Sequence, residues 1–316
     1  MFDDFAFDHI DVGPVTLRVR HGGSGPAVVL LHGHPHTHAT WHKVAPALAE
    51  HFTVVCPDLR GYGRSTVPAD EPEHAQMSKR AMADDVVALM HALGHHEFAV
   101  VGHDRGSYVA FRLTMDHPES VRAFVNIGGP PIGEVLDRAG ETFARLWWHW
   151  FFLGQTKNPA ERVINQDPDA WYADRSDRVA DEALEDYRAA RRDPQTVHAM
   201  CEDYRAGLTV DRRDDAADKA AGKKIACPVL VVWGRHDDLP ELYDGDPVAP
   251  WRTWATDVRG CEMDAGHSVQ EDNPEALLDV LVPFLMSHRG DPFPHARPPD
   301  GERPERGERV GERRRV

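Results

Sequence analysis

Phe98-Ala99-Val100-Val101-Gly102-His103-Asp104-Arg105-Gly106-Ser107 is the segment on which the fold turns. An apolar run of strand character leads into a glycine, one intervening residue, an aspartate, one further residue and a second glycine. Glycines on both flanks permit a sharp, strained turn from strand into helix, which pushes the middle side chain out at the top of a sheet. That side chain is Asp104, so the turn offers a carboxylate where a serine hydroxyl is the commoner occupant. Aspartate at a helix start also serves as an ordinary N-cap, near the positive helix end. The segments around the turn decide between the two roles.

Upstream and downstream, short apolar runs alternate with helical patterns. Ala27–Leu31, Phe52–Cys56, Phe98–Val101 and Val121–Ile127 read as strands, with an amphipathic stretch Ala81–Leu93 between the second and third. This alternation predicts βαβ units and a mostly parallel sheet. The next strand, Pro228–Val232, follows about ninety residues of other texture, rich in Ala, Arg, Asp and Glu with aromatic clusters, which reads as several helices. After it come Cys261–Asp264, a histidine-containing turn and a helix Pro274–Met286 with Leu277, Leu278, Leu281 and Phe284 on one face. The expected organisation is an α/β core over 1–131 and 223–288, a helical cap inserted at 132–222, and a disordered tail at 289–316.

Composition bounds the function. The chain has 316 residues and a net charge of −16, which repels a phosphate backbone and excludes general nucleic-acid binding. The tail carries eight arginines against six acids and five prolines with almost no apolar residues, too little to offset the entropy of ordering. Cys56, Cys201, Cys227 and Cys261 lie far apart, in no disulfide or zinc-ribbon spacing. The N-terminus lacks a basic and an apolar region, and no apolar run approaches the roughly 18 residues of a membrane span. A soluble, cytoplasmic protein is expected. His32, His34, His36, His38 and His42 alternate suggestively, but no acidic ligand is interspersed and no metal is expected there. There is no GxGxxG or GxxxxGK[ST] pattern, so no nucleotide cofactor is implied.

Further motifs follow the strands in order. Leu31-His32-Gly33-His34-Pro35 ends one, Pro57 to Ser65 another, and Val231-Val232-Trp233-Gly234-Arg235-His236-Asp237 places an acid at a third tip; Asp264-Ala265-Gly266-His267-Ser268 then supplies a histidine. In this order of nucleophile, acid and base, the chain resembles the α/β-hydrolase superfamily, in the aspartate-nucleophile branch of dehalogenases and epoxide hydrolases. The resemblance spans about Phe5 to Met286. It implies a mostly parallel eight-stranded sheet flanked by helices with an inserted helical cap. It further implies Asp104 as a nucleophile forming an alkyl-enzyme ester, His267 as the base that activates water, and Asp237 as the acid orienting it, with Asp238 as a fallback. The backbone N–H groups of His34 and Arg105 would form the oxyanion hole. The Asp58–Ser65 loop is expected to be structural.

Haloalkane dehalogenases and epoxide hydrolases usually place tryptophan after the nucleophile, where this chain has Arg105. A guanidinium there suits a substrate carboxylate, the arrangement of the fluoroacetate (haloacetate) dehalogenases. Leu146-Trp147-Trp148-His149-Trp150-Phe151-Phe152-Leu153 and Met200-Cys201-Glu202-Asp203-Tyr204-Arg205-Ala206-Gly207 look like that subfamily's cap motifs. By resemblance His149, Trp150 and Tyr204 would donate hydrogen bonds to the departing halide, while the flanking aromatics pack the cap on the core. Two positions depart from the pattern. Tyr108 stands where the subfamily has a second arginine, and Asn126-Ile127-Gly128-Gly129 lacks the acid that the subfamily often draws from that strand. The expected partners are a small substrate and water, with a homodimer suggested by the resemblance. The rival readings are an epoxide hydrolase, using Tyr204 and Tyr172 to protonate the epoxide oxygen, and a non-catalytic ligand-binding domain of the same fold.

Overall fold

The computed structural model describes residues 1–173 and 179–289. Beyond Arg289, the expected disordered tail lies outside the described residues. Eight strands form one sheet: β1 (Ala6–Asp11), β2 (Thr16–Gly23), β3 (Ala27–Leu31), β4 (Thr53–Pro57), β5 (Phe98–His103), β6 (Val121–Ile127), β7 (Val229–Gly234) and β8 (Val258–Met263). Their order is β1-β2-β4-β3-β5-β6-β7-β8. β1 and β2 pair antiparallel, as do β2 and β4, and every other pair is parallel.

The central strands are continuous apolar runs because both faces are covered. Val29, Leu31, Val100, Phe124 and Val231 point to one side, against Val86, Leu89, Val109 and Leu113 from the helices Lys79–Ala92 and Arg105–Asp116. Val28, Leu30, Val101, Val125 and Val232 point to the other, against Trp41, Leu48, Leu277 and Leu281. The last two belong to the helix Pro274–Ser287, which Asn273 caps by accepting from the Ala276 N–H.

The antiparallel hairpin β1–β2 was not among the expected strands. Its first strand is exposed along most of its length, and its polar sequence AFDHID shows little of the alternation that marks a half-buried strand. The strand expected at Cys261–Asp264 begins earlier, at Val258, where pairing with β7 starts.

Between β6 and β7 the chain runs through helices, from Ile132–Asp137 to Arg212–Ala220. They share an apolar cluster in which Phe143, Trp147, Trp150, Val197 and Tyr204 meet Tyr108 of the core. One of them, Asp181–Arg191, is clamped onto the core by polar contacts. Arg18 on β2 donates Nη1 and Nη2 to the two carboxylate oxygens of Asp186, both at 2.8 Å, and Nε to Asp58 at 2.5 Å. Tyr187 donates its hydroxyl to Glu271 at 2.6 Å. Asp58 also accepts from His38 and from the Arg64 N–H, consistent with a structural role for its loop. Not all of the cap aromatics pack inward: Trp148 and Phe151 stay exposed, because one turn of the short helix His149–Leu153 and its flank face solvent. Among the described residues, no helix is long and apolar enough to cross a membrane.

Candidate active site

β3, β5, β6 and β7 all end on one side of the sheet, and the loops leaving them carry His34, Asp104, Gly128 and Asp237. Crevices outside the carboxyl ends of such strands are where ligands bind in open α/β sheets. Asp104 sits at φ 51°, ψ −119° between β5 and the helix Arg105–Asp116, and its side chain caps nothing. A non-glycine residue at positive φ is strained and persists only where its surroundings impose it. The glycines enforce it: a methyl group on Gly102 would overlap the Gly106 carbonyl, one on Gly106 the Leu31 and His32 carbonyls, and one on Gly33 the Asp104 side chain itself.

The carboxylate is divided between two tasks. Its Oδ1 accepts from the His34 N–H at 2.7 Å, while Oδ2 lies 3.7 Å from His267 Nε2. The Arg105 N–H, the other expected donor, is not hydrogen-bonded to either oxygen. His267 Nδ1 lies 3.3 Å from both oxygens of Asp237, so the proton on that nitrogen is shared with a carboxylate and Nε2 faces Asp104. The Asp238 N–H in turn donates to Asp237 Oδ1 at 2.8 Å, which places Asp237 at the imidazole and leaves Asp238 as its support.

Electrostatics match this geometry. Burial alone would raise the Asp104 carboxyl, but the charge of the adjacent His267 imidazolium, with that of Arg105, holds it far below the usual carboxylate range. Burial would lower His267, yet the Asp237 charge and the contacts to both carboxylates raise it well above an ordinary histidine. Burial pushes His34 down to about 3 and His149 down to about 4, so both rings are neutral near pH 7. His103 is likewise pushed down to about 3 by burial and the nearby His267 charge. It is fixed between the His267 carbonyl, 3.0 Å from Nε2, and the Gln270 amide, 3.2 Å from Nδ1. This support for the turn that carries His267 was not expected from the sequence.

Arg105 is where the structure departs most from the sequence reading. Its guanidinium is fully buried and already has a carboxylate: Nε and Nη2 donate to Asp203 Oδ2 and Oδ1 at 3.0 and 2.8 Å, and Nη2 also reaches the Asp203 carbonyl at 2.9 Å. Nη1 alone has no partner. An unsatisfied buried donor costs on the order of 1–3 kcal/mol, so an acceptor is called for there. The Tyr204 ring lies 4.2 Å from the guanidinium carbon, and those of Tyr108 and Trp150 each 5.2 Å. Asp203 also accepts from Tyr62 at 2.6 Å and pairs with Lys79, which itself reaches Asp211. None of Asp203, Lys79 and Tyr62 was singled out beforehand; Asp203 stood inside a quoted cap motif, and an acid beside Tyr204 was its only signal.

The remaining expected residues gather round the same point. Tyr204 packs edge-on against His34, His149 and Trp150 at 5.3, 6.0 and 5.9 Å, and Tyr108 against Trp150 at 5.7 Å. Tyr172 lies 5.6 Å from the His34 ring, its hydroxyl turned to the Met200 sulfur. A cavity of about 390 Å³ opens beside His267, Asp237 and Asp238, walled on its far side by Tyr172, Tyr187 and Arg191. The alternating histidines do not converge: His38 pairs with Asp58, His36 packs at a tilt against Tyr187 at 4.6 Å, and His32 accepts from the Leu59 N–H. The closest grouping of metal-type ligands among the described residues is instead Asp70, His198 and Glu202.

Strand order, the strained turn and the aspartate–histidine–aspartate line define a hydrolase-type scaffold, and the chain belongs to the α/β hydrolase fold family, whose model matches residues 26–274. It is 39% identical to a fluoroacetate dehalogenase from Burkholderia sp over 92% of this chain and 96% of that protein. A soluble epoxide hydrolase from Corynebacterium sp. (strain C12) is 32% identical over 84% of this chain and 92% of its own length. Among solved structures, ALR0039 from Nostoc sp PCC 7120 superposes with a TM-score of 0.86 at 39% identity, covering 90% of this chain and 99% of that one.

Proposed function

We propose that the protein hydrolyses the carbon–halogen bond of short 2-haloacids through an aspartyl ester. The observation that carries this reading is the division of the Asp104 carboxylate, one oxygen held by the His34 N–H and the other facing His267. Oδ2 attacks the carbon bearing the halogen, and the halide leaves with the bonding electrons. His149, Trp150 and Tyr204 stand beside the site, and donors there act mainly on the departing anion, in the transition state. Once Asp104 is an ester its charge is gone, so His267 loses one of the two carboxylates that favour its protonated form. The neutral imidazole then takes a proton from water, and the hydroxide adds to the ester carbonyl, whose Oδ1 collects negative charge against the His34 N–H. Asp237 holds the ring and stabilises the imidazolium.

Arg105 Nη1 is the group that would meet the substrate carboxylate, beside the Tyr108 ring. The 39% identity to a fluoroacetate dehalogenase supports the same substrate class. The test is a single turnover in heavy-oxygen water, with label expected in the peptide that contains Asp104 and unlabelled Asp104 overturning the covalent route. An epoxide hydrolase is the second reading, favoured by Tyr172 and Tyr204 flanking His34 and by the 32% identity to a soluble epoxide hydrolase. Assay of chloroacetate and fluoroacetate beside styrene oxide separates the two.

A further inference from the structure

Resting on the aspartyl-ester reading above, we infer that the site also takes uncharged 2-halo carbonyl compounds, 2-haloamides in particular, because Arg105 offers a single free donor nitrogen and little net charge. Two of its three nitrogens are committed to Asp203, at 3.0 and 2.8 Å, and both residues are completely buried. The cluster is closed by Lys79, which pairs with Asp203 and lies 3.3 Å from Asp211. Arg105 and Lys79 against Asp203 and Asp211 sum to zero. Asp104 and Asp237 against a protonated His267 add one negative charge.

A carboxylate entering this site therefore meets no surplus of positive charge, and it must come close to Asp104. Tyr108, buried against Trp150 and within 5.2 Å of the guanidinium carbon, adds no charge either. What the site does hold is the unpartnered Nη1, one nitrogen whose two N–H bonds diverge and so cannot make the parallel pair that grips both oxygens of a carboxylate, though either can bond one carbonyl oxygen. An amide presents that oxygen as well as an acid does, and without the repulsion. A bidentate receptor would discriminate strongly between them, since recognition of a carboxylate by a guanidinium rests on two parallel bonds and opposite charge. The chemistry balances as before: Asp104 Oδ2 bonds to C2, the C2–halogen bond breaks to release halide, and water adds to the ester carbonyl. The products are a 2-hydroxyamide, halide and a proton.

The test uses the full chain with chloroacetate and 2-chloroacetamide, reading halide and hydroxy product. The four free cysteines can be alkylated by the amide, so catalysis is counted only beyond four equivalents per chain and against Asp104→Asn. The expected result is a kcat/KM for the amide within thirtyfold of the acid. A larger deficit for the amide, with the acid turned over, overturns this inference alone; turnover of neither overturns the dehalogenase reading and this inference with it. Asp203→Asn should raise the acid-to-amide ratio at least tenfold, chiefly through KM for the acid. Should that variant not fold, Tyr108→Arg adds a cation without touching Asp203 and should shift the ratio the same way; an unchanged ratio in the folded variant overturns the charge argument.

Discussion

His267 Nε2 stands 3.7 Å from Asp104 Oδ2, beyond hydrogen-bond length yet within strong Coulombic reach. The Asp104 charge thus favours the protonated imidazole, which on the aspartyl-ester proposal must lose its proton before it can act as a base. Asp104→Asn removes that charge, so the His267 pKa should fall, and halide release should drop by about 10³-fold or more. Histidine titration by NMR checks the first outcome. An unmoved His267 resonance would mean that Asp237 alone governs the ring.

On the aspartyl-ester proposal, His267→Gln leaves Asp104 able to attack and removes the base for the second step. One equivalent of halide per chain, a stable mass increase on the Asp104 peptide and no further turnover are expected from quench-flow and mass analysis. In the intact enzyme the proposed ester would lack the Asp104 charge, so the ionisation limiting its hydrolysis at low pH should lie below the His267 pKa of the free enzyme.

Asp237→Asn should lower kcat by roughly 10²–10⁴-fold through loss of the ring's orientation and charge partner. Asp238→Asn, which keeps the backbone N–H bonded to Asp237, should stay within about threefold. Equal losses in both variants would contradict the assignment of Asp237.

How far this site could be read in advance depended on distance along the chain. The strands β3 to β7 and the turn at Asp104 have local signatures: apolar runs, and glycines placed where a methyl group would strike backbone. Asp237 and His267 follow strand ends, so they too could be found from their neighbours. The Arg105–Asp203 pair spans 98 residues and has no local signature, because either residue alone reads as an ordinary charged side chain. β1 was missed for a related reason: an exposed edge strand needs few apolar residues.

Stability should fall with acid in a defined direction. Burial would raise Asp58 and Asp203, but the His38 hydrogen bonds and the Arg18 charge beside the first, and the Arg105 and Lys79 charges beside the second, hold both well below the usual range. Carboxyls depressed in the folded state contribute fully above their unfolded value of about 3.9, and the contribution is lost as pH falls through the folded values. Urea unfolding at pH 7, 4 and 3 should show this decline. Asp58→Asn, which leaves Arg18 paired with Asp186 alone, should destabilise by about 1–3 kcal/mol at pH 7 and flatten the acid dependence.

Gly33→Ala tests the turn without altering any charge. Its methyl group would overlap the Asp104 side chain, so activity should fall more steeply than thermal stability. A variant with normal halide release would show that the carboxylate has room to move.

The link from Arg18 through Asp186 ties β2 directly to the helix Asp181–Arg191. Any fragment begun at β3, where the recognisable pattern starts, would discard the hook that fastens the lid. Deletion experiments meant to isolate a minimal catalytic unit must therefore retain a hairpin remote from Asp104, and substitutions at Arg18 should loosen the helix that carries Asp186.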